Sequence, residues 1–299
     1  MTAKSINMQA IDALIKGNNL EAQKYFFENA KNNPSHETYN NLGYYLCSQG
    51  LQYVNGNFRN AYKLGMQYLK KASNYKNTIV NFLAIATSIN INLKGHPYDS
   101  KFMDLYKEAY TALSEALKIC YSDNIEYNCL IYQYLIDRKD INILYRLENL
   151  IRTYKNSESI CFYLYLLCEH SFYEECLRYI DKYRDFIDYS DCIMLYYFCG
   201  KYEEVERIFN IVIKEYLFNE IELSVIIESL FILNHNDKIK LLQNLVEQIE
   251  SYTSNRNIEN VFISQLYRKS KIKQFLYMPA YIVPCCFFGC KNHKTSWGI

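Results

Sequence analysis

The chain has 299 residues, of which 50% are hydrophobic and 22% are charged, so its composition excludes a disordered protein. The 33 basic residues nearly balance the 32 acidic ones, and the chain therefore has no net field that would attract a polyanion. We expect no nucleic-acid partner.

Helix-compatible residues dominate the chain. It contains 9 glycines and 4 prolines, and the stretch from Thr2 to Lys273 lacks the alternation of apolar and polar residues that strands require. The composition predicts an all-α protein.

Eleven cysteines occur without a pairing pattern, which is typical of reduced thiols that fill small core positions. With no secretory leader and no run of 18 apolar residues, we expect a cytoplasmic protein.

The first predicted helix pair has an ordered set of spacings. A helix over residues 5–16 is followed by Gly17, by the small residue Ala22 five positions later, by Phe26 and then by Pro34. Glycine permits a tight turn, and a small side chain lets the second helix approach the first closely. The aromatic ring fills the contact between the helices, and proline ends the second helix. The spacing predicts an antiparallel helix pair.

The next helix begins with the run Tyr39-Asn40-Asn41-Leu42-Gly43-Tyr44, and its partner begins with Gly56, followed five positions later by Ala61. These leucine–glycine–aromatic and glycine–alanine patterns resemble tetratricopeptide (TPR) repeats, which have a period of about 34 residues. The resemblance covers residues 5–250 with varying strength. It implies a right-handed α-solenoid of about seven antiparallel helix pairs over residues 1–270, which is a superhelix that binds a protein or peptide.

Later pairs keep parts of the same pattern. Residues 79–91 and 101–119 predict a long pair, and residues 141–154 predict the second helix of the next one. The turn-and-small-residue signal returns at Phe172–Cys176, where cysteine replaces alanine, and at Gly200–Val205. Further helices are predicted at 221–233, 237–249 and 258–269.

Candidate binding residues lie on the first helices of the pairs, because first helices line the concave face of a TPR-like array. Asparagine side chains there can bind the backbone of an extended peptide through a donor and an acceptor. The candidates are Asn40, Asn41, Tyr44, Tyr45, Asn128, Tyr132 and Gln133. The alternative is that asparagine is simply abundant in this chain.

The sequence contains no recognisable catalytic motif, and we therefore expect that the protein is not an enzyme. It lacks a phosphate-binding glycine loop, a nucleophile elbow and a helix with two metal-binding histidines. The adjacent pairs Glu174-Glu175 and Glu203-Glu204 do not converge on one substrate, because helix neighbours point about 100° apart. We interpret them as solvated first-turn residues that offset the helix dipole.

The residues from 271 to 299 form an apolar, cysteine-containing tail with basic flanks. Four interpretations are open: a cap on the end of the array, a membrane contact, a linear docking motif, or a zinc site. The zinc ligands would be Cys285, Cys286, Cys290 and His293. Of these, we favour the cap; we expect no cofactor elsewhere.

The sequence therefore predicts a cytoplasmic, non-catalytic adaptor whose concave face binds a protein or an extended peptide. Two alternatives remain open. One is a peptide-sensing regulatory protein similar to the TPR-type bacterial receptors, although residues 1–16 leave no room for the N-terminal effector domain that those receptors carry. The other is a scaffold anchored to a membrane through the tail.

Overall fold

The computed structural model describes residues 2–48, 58–93, 100–213, 220–235 and 237–240. Within these ranges every regular element is a helix, so the predicted all-α class is confirmed. The predicted tail, the helix at 258–269 and most of the helix at 237–249 lie outside the described residues.

Thirteen α-helices are described, and the spans predicted at 5–16, 79–91, 101–119, 141–154 and 221–233 agree with five of them to within a few residues. Two short 3-10 turns precede α6 and α11, at Ser100–Phe102 and Arg184–Phe186. The helices are α1 (Ala3–Ile15), α2 (Asn19–Asn32), α3 (His36–Ser48), α4 (Phe58–Tyr75), α5 (Ile79–Leu93), α6 (Met103–Ile119), α7 (Asp123–Ile136), α8 (Asn142–Thr153), α9 (Ser157–Glu169), α10 (Tyr173–Lys182), α11 (Tyr189–Phe198), α12 (Tyr202–Val212) and α13 (Glu220–Ile232).

Polar residues begin several of these helices by satisfying backbone N–H groups that have no partner within the helix. The side chains of Thr2, Asn156 and Asp188 each accept a hydrogen bond from the backbone N–H three residues later. These caps explain why α1, α9 and α11 begin where they do.

The described chain divides into two compact units, with the boundary at residues 143 and 144. In unit 1, each helix from α1 to α7 packs against the next, and α3 also packs against α5. In unit 2, the same order holds from α9 to α13, with additional packing of α11 against α9 and α13. Each unit is thus a series of neighbouring helices in which odd-numbered helices also contact one another.

One turn geometry recurs after four of the odd-numbered helices. Gly17, Ser171, Gly200 and Asn234 all have positive φ, between 60° and 76°. At each turn two backbone N–H groups return to the preceding helix; at the first, Gly17 donates to Leu14 and Asn18 donates to Ala13. This is the Schellman pattern, in which the left-handed residue ends one helix. The predicted turn glycines, Gly17 and Gly200, are confirmed.

The position five residues after the turn is completely buried in three of these pairs. Ala22, Cys176 and Val205 each have 0% exposure. Phe26, four residues after Ala22, is also buried, and its ring centroid lies 5.0 Å from that of Tyr45. The predicted small-residue contact and its aromatic neighbour are therefore present in the structure.

Odd- and even-numbered helices differ in how much of their surface is covered. Ten of the 13 residues of α3 are buried, and so are ten of the 13 in α9. By contrast, α2 buries four of 14 residues and α10 buries three of ten, all on one stripe. From α3 onward the odd-numbered helices form the interior, and the even-numbered helices cover it with one apolar face, whereas α1 buries only five of its 13 residues.

The closest helix contact joins α3 and α4 through Gly43 and Gly65. A Cβ atom added at Gly43 would lie 2.8 Å from the carbonyl oxygen of Gly65 and 2.8 Å from the backbone nitrogen of Leu69. Both of these atoms belong to the backbone of α4, so a rotamer change cannot relieve the contact. Gly43, which the sequence identified as part of a TPR-like run, is required by this close approach.

We predict that Gly43→Ala lowers the free energy of unfolding by about 1–3 kcal/mol, because the methyl group forces two helix backbones apart. Urea denaturation followed by circular dichroism measures this change. The control is Gly17→Asn, since a Cβ at Gly17 meets no atom within 4 Å and asparagine tolerates positive φ. An unchanged unfolding midpoint for Gly43→Ala would contradict the described helix contact.

Candidate functional site

The predicted binding residues lie on α3 and α7, and six of the seven are buried. Their exposed fractions range from 0% to 2%, and only Gln133 is half-buried. The buried residues are Asn40, Asn41, Tyr44, Tyr45, Asn128 and Tyr132. The structure thus places them in the packed interior of unit 1, where they have neighbours within the chain.

Asparagine side chains connect the odd-numbered helices of unit 1. The Asn41 amide donates to the side-chain oxygen of Asn7 on α1 over 2.5 Å. The Asn81 amide on α5 donates to Asn40 Oδ1 over 3.0 Å and to the Leu69 carbonyl over 3.2 Å. A third polar side chain, Ser73, donates to Asn81. These contacts join α1, α3, α4 and α5.

The other predicted residues have local or packing contacts. The Tyr45 hydroxyl donates a hydrogen bond to the Asn19 carbonyl over 3.1 Å. Gln133 donates to Asp140 over 2.6 Å, and Asn128 donates to the Asn124 carbonyl one turn earlier over 2.8 Å. A peptide-binding role for the predicted set stays a prediction, whereas Asn40, Asn41 and Tyr45 each form a hydrogen bond to another helix.

We predict that Asn81→Ala lowers the free energy of unfolding by about 1–3 kcal/mol, because it removes the buried hydrogen bond to Asn40 Oδ1 and the bonds that Asn81 makes with Leu69 and Ser73. Chemical denaturation measures the loss. Asn74 is an exposed residue of α4 in the same unit. Asn74→Ala should lower the free energy of unfolding by only a few tenths as much. Equal stability of the two variants would show that the asparagine contacts do not stabilise unit 1.

In unit 2 the odd-numbered helices are joined by carboxylates instead of amides. Asp191 on α11 accepts a hydrogen bond from Tyr165 on α9 over 2.8 Å and from the Cys161 thiol over 3.1 Å. On the other side of α11, Tyr197 donates to Glu228 on α13 over 2.6 Å. Ser190 donates to Glu222 on the same pair of helices. The sequence analysis did not identify this row of three carboxylates, Asp191, Glu222 and Glu228.

Burial affects the charges in this row. It raises the pKa of the Asp191 carboxyl, and the negative charges of Asp188 and Glu222 act in the same direction. Hydrogen bonds from Cys161 and Tyr165 oppose the shift because they stabilise the ionised form. Burial therefore makes the ionised form of Asp191 less favourable, and a nearby cation would offset that cost.

Part of this row is open to solvent. Asp191, Tyr197, Phe198 and Glu228 are half-buried, and Phe231, three residues after Glu228, is 61% exposed. We call these five residues the acidic surface of unit 2. It presents two carboxylates that tyrosine hydroxyls hold in place, next to aromatic rings.

Basic residues are absent from the helices that form this surface. Lys4 is the sole lysine or arginine in the seven odd-numbered helices of the described chain, and α9, α11 and α13 have none. Every even-numbered helix from α2 to α12 contains at least one lysine or arginine. This separation of charge is visible in the sequence once the helices are assigned, although the net charge of +1 conceals it.

The adjacent glutamates considered in the sequence lie where they were expected, on the first turns of α10 and α12. Glu175 pairs with Arg178 over 3.2 Å, and Glu204 pairs with Arg207 over 2.7 Å. Each pair is a surface contact between residues one helical turn apart. Neither assembles a group of reactive side chains.

The proposed ligands of the tail, Cys285, Cys286, Cys290 and His293, lie outside the described residues. Among the helices that are described, none combines the length and apolar character needed to cross a membrane.

Comparison with known proteins found no family model that matches the chain and no curated protein with significant sequence similarity. The TPR resemblance therefore stays a prediction from the residues and spacings of this chain.

Proposed function

We propose that this protein is a non-catalytic adaptor of the cytoplasm, built as a TPR-like right-handed solenoid of about seven helix pairs. The recurring Schellman turns and the buried small residue after each of three turns support the repeat interpretation. Its ligand is an extended, positively charged segment of a partner protein, and the segment binds the acidic surface of unit 2.

The observation that carries the proposal is the pair of half-buried carboxylates, Asp191 and Glu228, on helices without any basic residue. A carboxylate can accept about four hydrogen bonds, so the bonds from Tyr165 and Cys161 to Asp191, and from Tyr197 to Glu228, orient these groups without exhausting them. A lysine or arginine of the partner would supply the cation. Because the carboxylates are partly desolvated, such a pair is stronger than one on an open surface.

Aromatic rings beside the carboxylates complete the chemistry of the surface. Phe198 and Phe231 offer apolar contact to the aliphatic stem of a lysine or arginine side chain, and their faces can interact with its charge. The ring of Tyr165 lies 6.1 Å from that of Phe198 and supports it from α9. The surface thus suits a partner segment in which basic residues are interspersed with apolar ones.

We predict that a lysine- and arginine-containing peptide of about ten residues binds the full chain, and that a glutamate-containing peptide of equal length does not. Fluorescence anisotropy with a labelled peptide measures the affinity. Asp191→Asn should weaken binding about fivefold, since one charge pair at a partly buried site contributes roughly 1 kcal/mol. Binding should also weaken with added salt.

The same variant separates binding from folding. Asparagine keeps an oxygen that can accept from Tyr165, and it removes the charge that burial disfavours, so Asp191→Asn should melt at the same temperature as the parent or higher. Glu203→Gln makes the same change in charge on the exposed surface of α12 and should leave affinity unchanged. Equal weakening by Asp191→Asn and Glu203→Gln would show that the peptide senses only overall charge and would overturn the proposed site.

A further inference from the structure

Three cysteines from different helices of unit 2 come together around one point. Cys168 is in the last turn of α9, Cys176 is in the first turn of α10, and Cys199 caps the end of α11. The Cys168 sulfur lies 3.4 Å from that of Cys176 and 3.7 Å from that of Cys199. All three sulfur atoms lie within 4.8 Å of one another.

These separations are those of a metal–thiolate site. Zinc binds thiolate sulfur at about 2.3 Å, so two sulfur ligands of a tetrahedral ion are about 3.8 Å apart. The two shorter sulfur separations here, 3.4 and 3.7 Å, need only a few tenths of an ångström of adjustment. Among the described residues, no other set of three cysteine, histidine or carboxylate side chains converges in this way.

The turns of unit 2 position these thiols. Cys176 occupies the buried position five residues after the left-handed Ser171, and Cys199 immediately precedes the left-handed Gly200. In the Schellman turn after α9, the Cys168 backbone carbonyl accepts a hydrogen bond from the Ser171 N–H over 3.0 Å. The site is thus anchored on backbone that two well-defined turns fix.

An ion has a route to this cluster. Cys168 and Cys176 are buried, whereas Cys199 is half-buried. An ion from solvent would therefore meet the Cys199 sulfur first and the two buried thiols behind it.

Metal binding at this cluster is linked to proton release. The thiolate, and not the thiol, is the form of cysteine that binds a metal ion, so an ion that enters here displaces a proton from each of the three thiols.

We propose that Cys168, Cys176 and Cys199 bind one thiophilic metal ion, with zinc as the physiological ion and a water molecule as the fourth ligand. Binding holds the ends of α9 and α11 against the start of α10, so the ion stabilises unit 2. Because three thiols must lose protons, zinc affinity falls as the pH decreases.

The test is a titration of the reduced full chain with Zn²⁺ against a chromophoric chelator, together with Co²⁺ as a spectroscopic probe. In a background in which Cys285, Cys286 and Cys290 are all replaced by serine, the protein should still bind one equivalent of zinc. Co²⁺ should give the intense sulfur-to-metal absorption of a tetrahedral thiolate site. In this background Zn²⁺ should raise the melting temperature.

Cys199→Ala in the same background should abolish the equivalent of zinc, the cobalt absorption and the thermal shift. The matched control is Cys192→Ala, which removes a buried cysteine of the same helix that is outside the cluster and should leave zinc binding unchanged. Far-ultraviolet circular dichroism checks that both variants are folded. Equal zinc binding by the Cys199→Ala and Cys192→Ala proteins, or none in the background protein, would overturn the proposal.

Discussion

The structure depends on the burial of its odd-numbered helices. Polar side chains on a helix that is covered on most sides are removed from water. Hydrogen bonds within the protein offset the cost of burying them. In α3 the hydrogen-bond partners come from α1 and α5, through Asn41 with Asn7 and Asn40 with Asn81. The bonds cross from one helix pair to the next, and they specify which helices are neighbours as well as how far apart they lie.

The two units meet this constraint with different chemistry. In unit 1 the amides of Asn40 and Asn41 on α3 are buried, and each has a hydrogen bond to an asparagine of a neighbouring helix. The carboxylates of unit 2 differ in exposure: Glu222 is buried and accepts from Ser190, whereas Asp191 and Glu228 are half-exposed. The hydrogen bonds between the odd-numbered helices of unit 2 therefore leave part of an acidic surface open to a partner, whereas the corresponding hydrogen bonds of unit 1 are buried.

The sequence predicted those parts of the fold that depend on local chemistry. Gly17 and Gly200 identified two turns, and the pattern of apolar residues located α1, α5, α6, α8 and α13 within a few residues. Ser171 and Asn234 adopt the same left-handed geometry without glycine, so their positive φ could not be predicted, although the sequence pattern placed a turn before Phe172 and a helix end at residue 233. The predicted spans were reliable because a helix and its end depend on neighbours within about one turn.

The sites were harder to predict because they depend on contacts between distant residues. Helical spacing placed Asn40 and Asn41 on a first helix, but it could not show that α1 and α5 cover them. Cys176 was recognised as a small residue in its pair. Its neighbours Cys168 and Cys199 come from two other helices, and no fixed spacing relates three cysteines that separate turns bring together.

The central claim is that the odd-numbered helices form the stable interior of each unit. Exchange rates of the backbone amide hydrogens, measured helix by helix, test this claim. Amides of α3, α5, α9 and α11 should exchange more slowly than those of α2, α4, α10 and α12, because exchange from the interior requires a whole unit to open. Equal or slower exchange in the even-numbered helices would contradict the account, since stability would then lie in the covering layer.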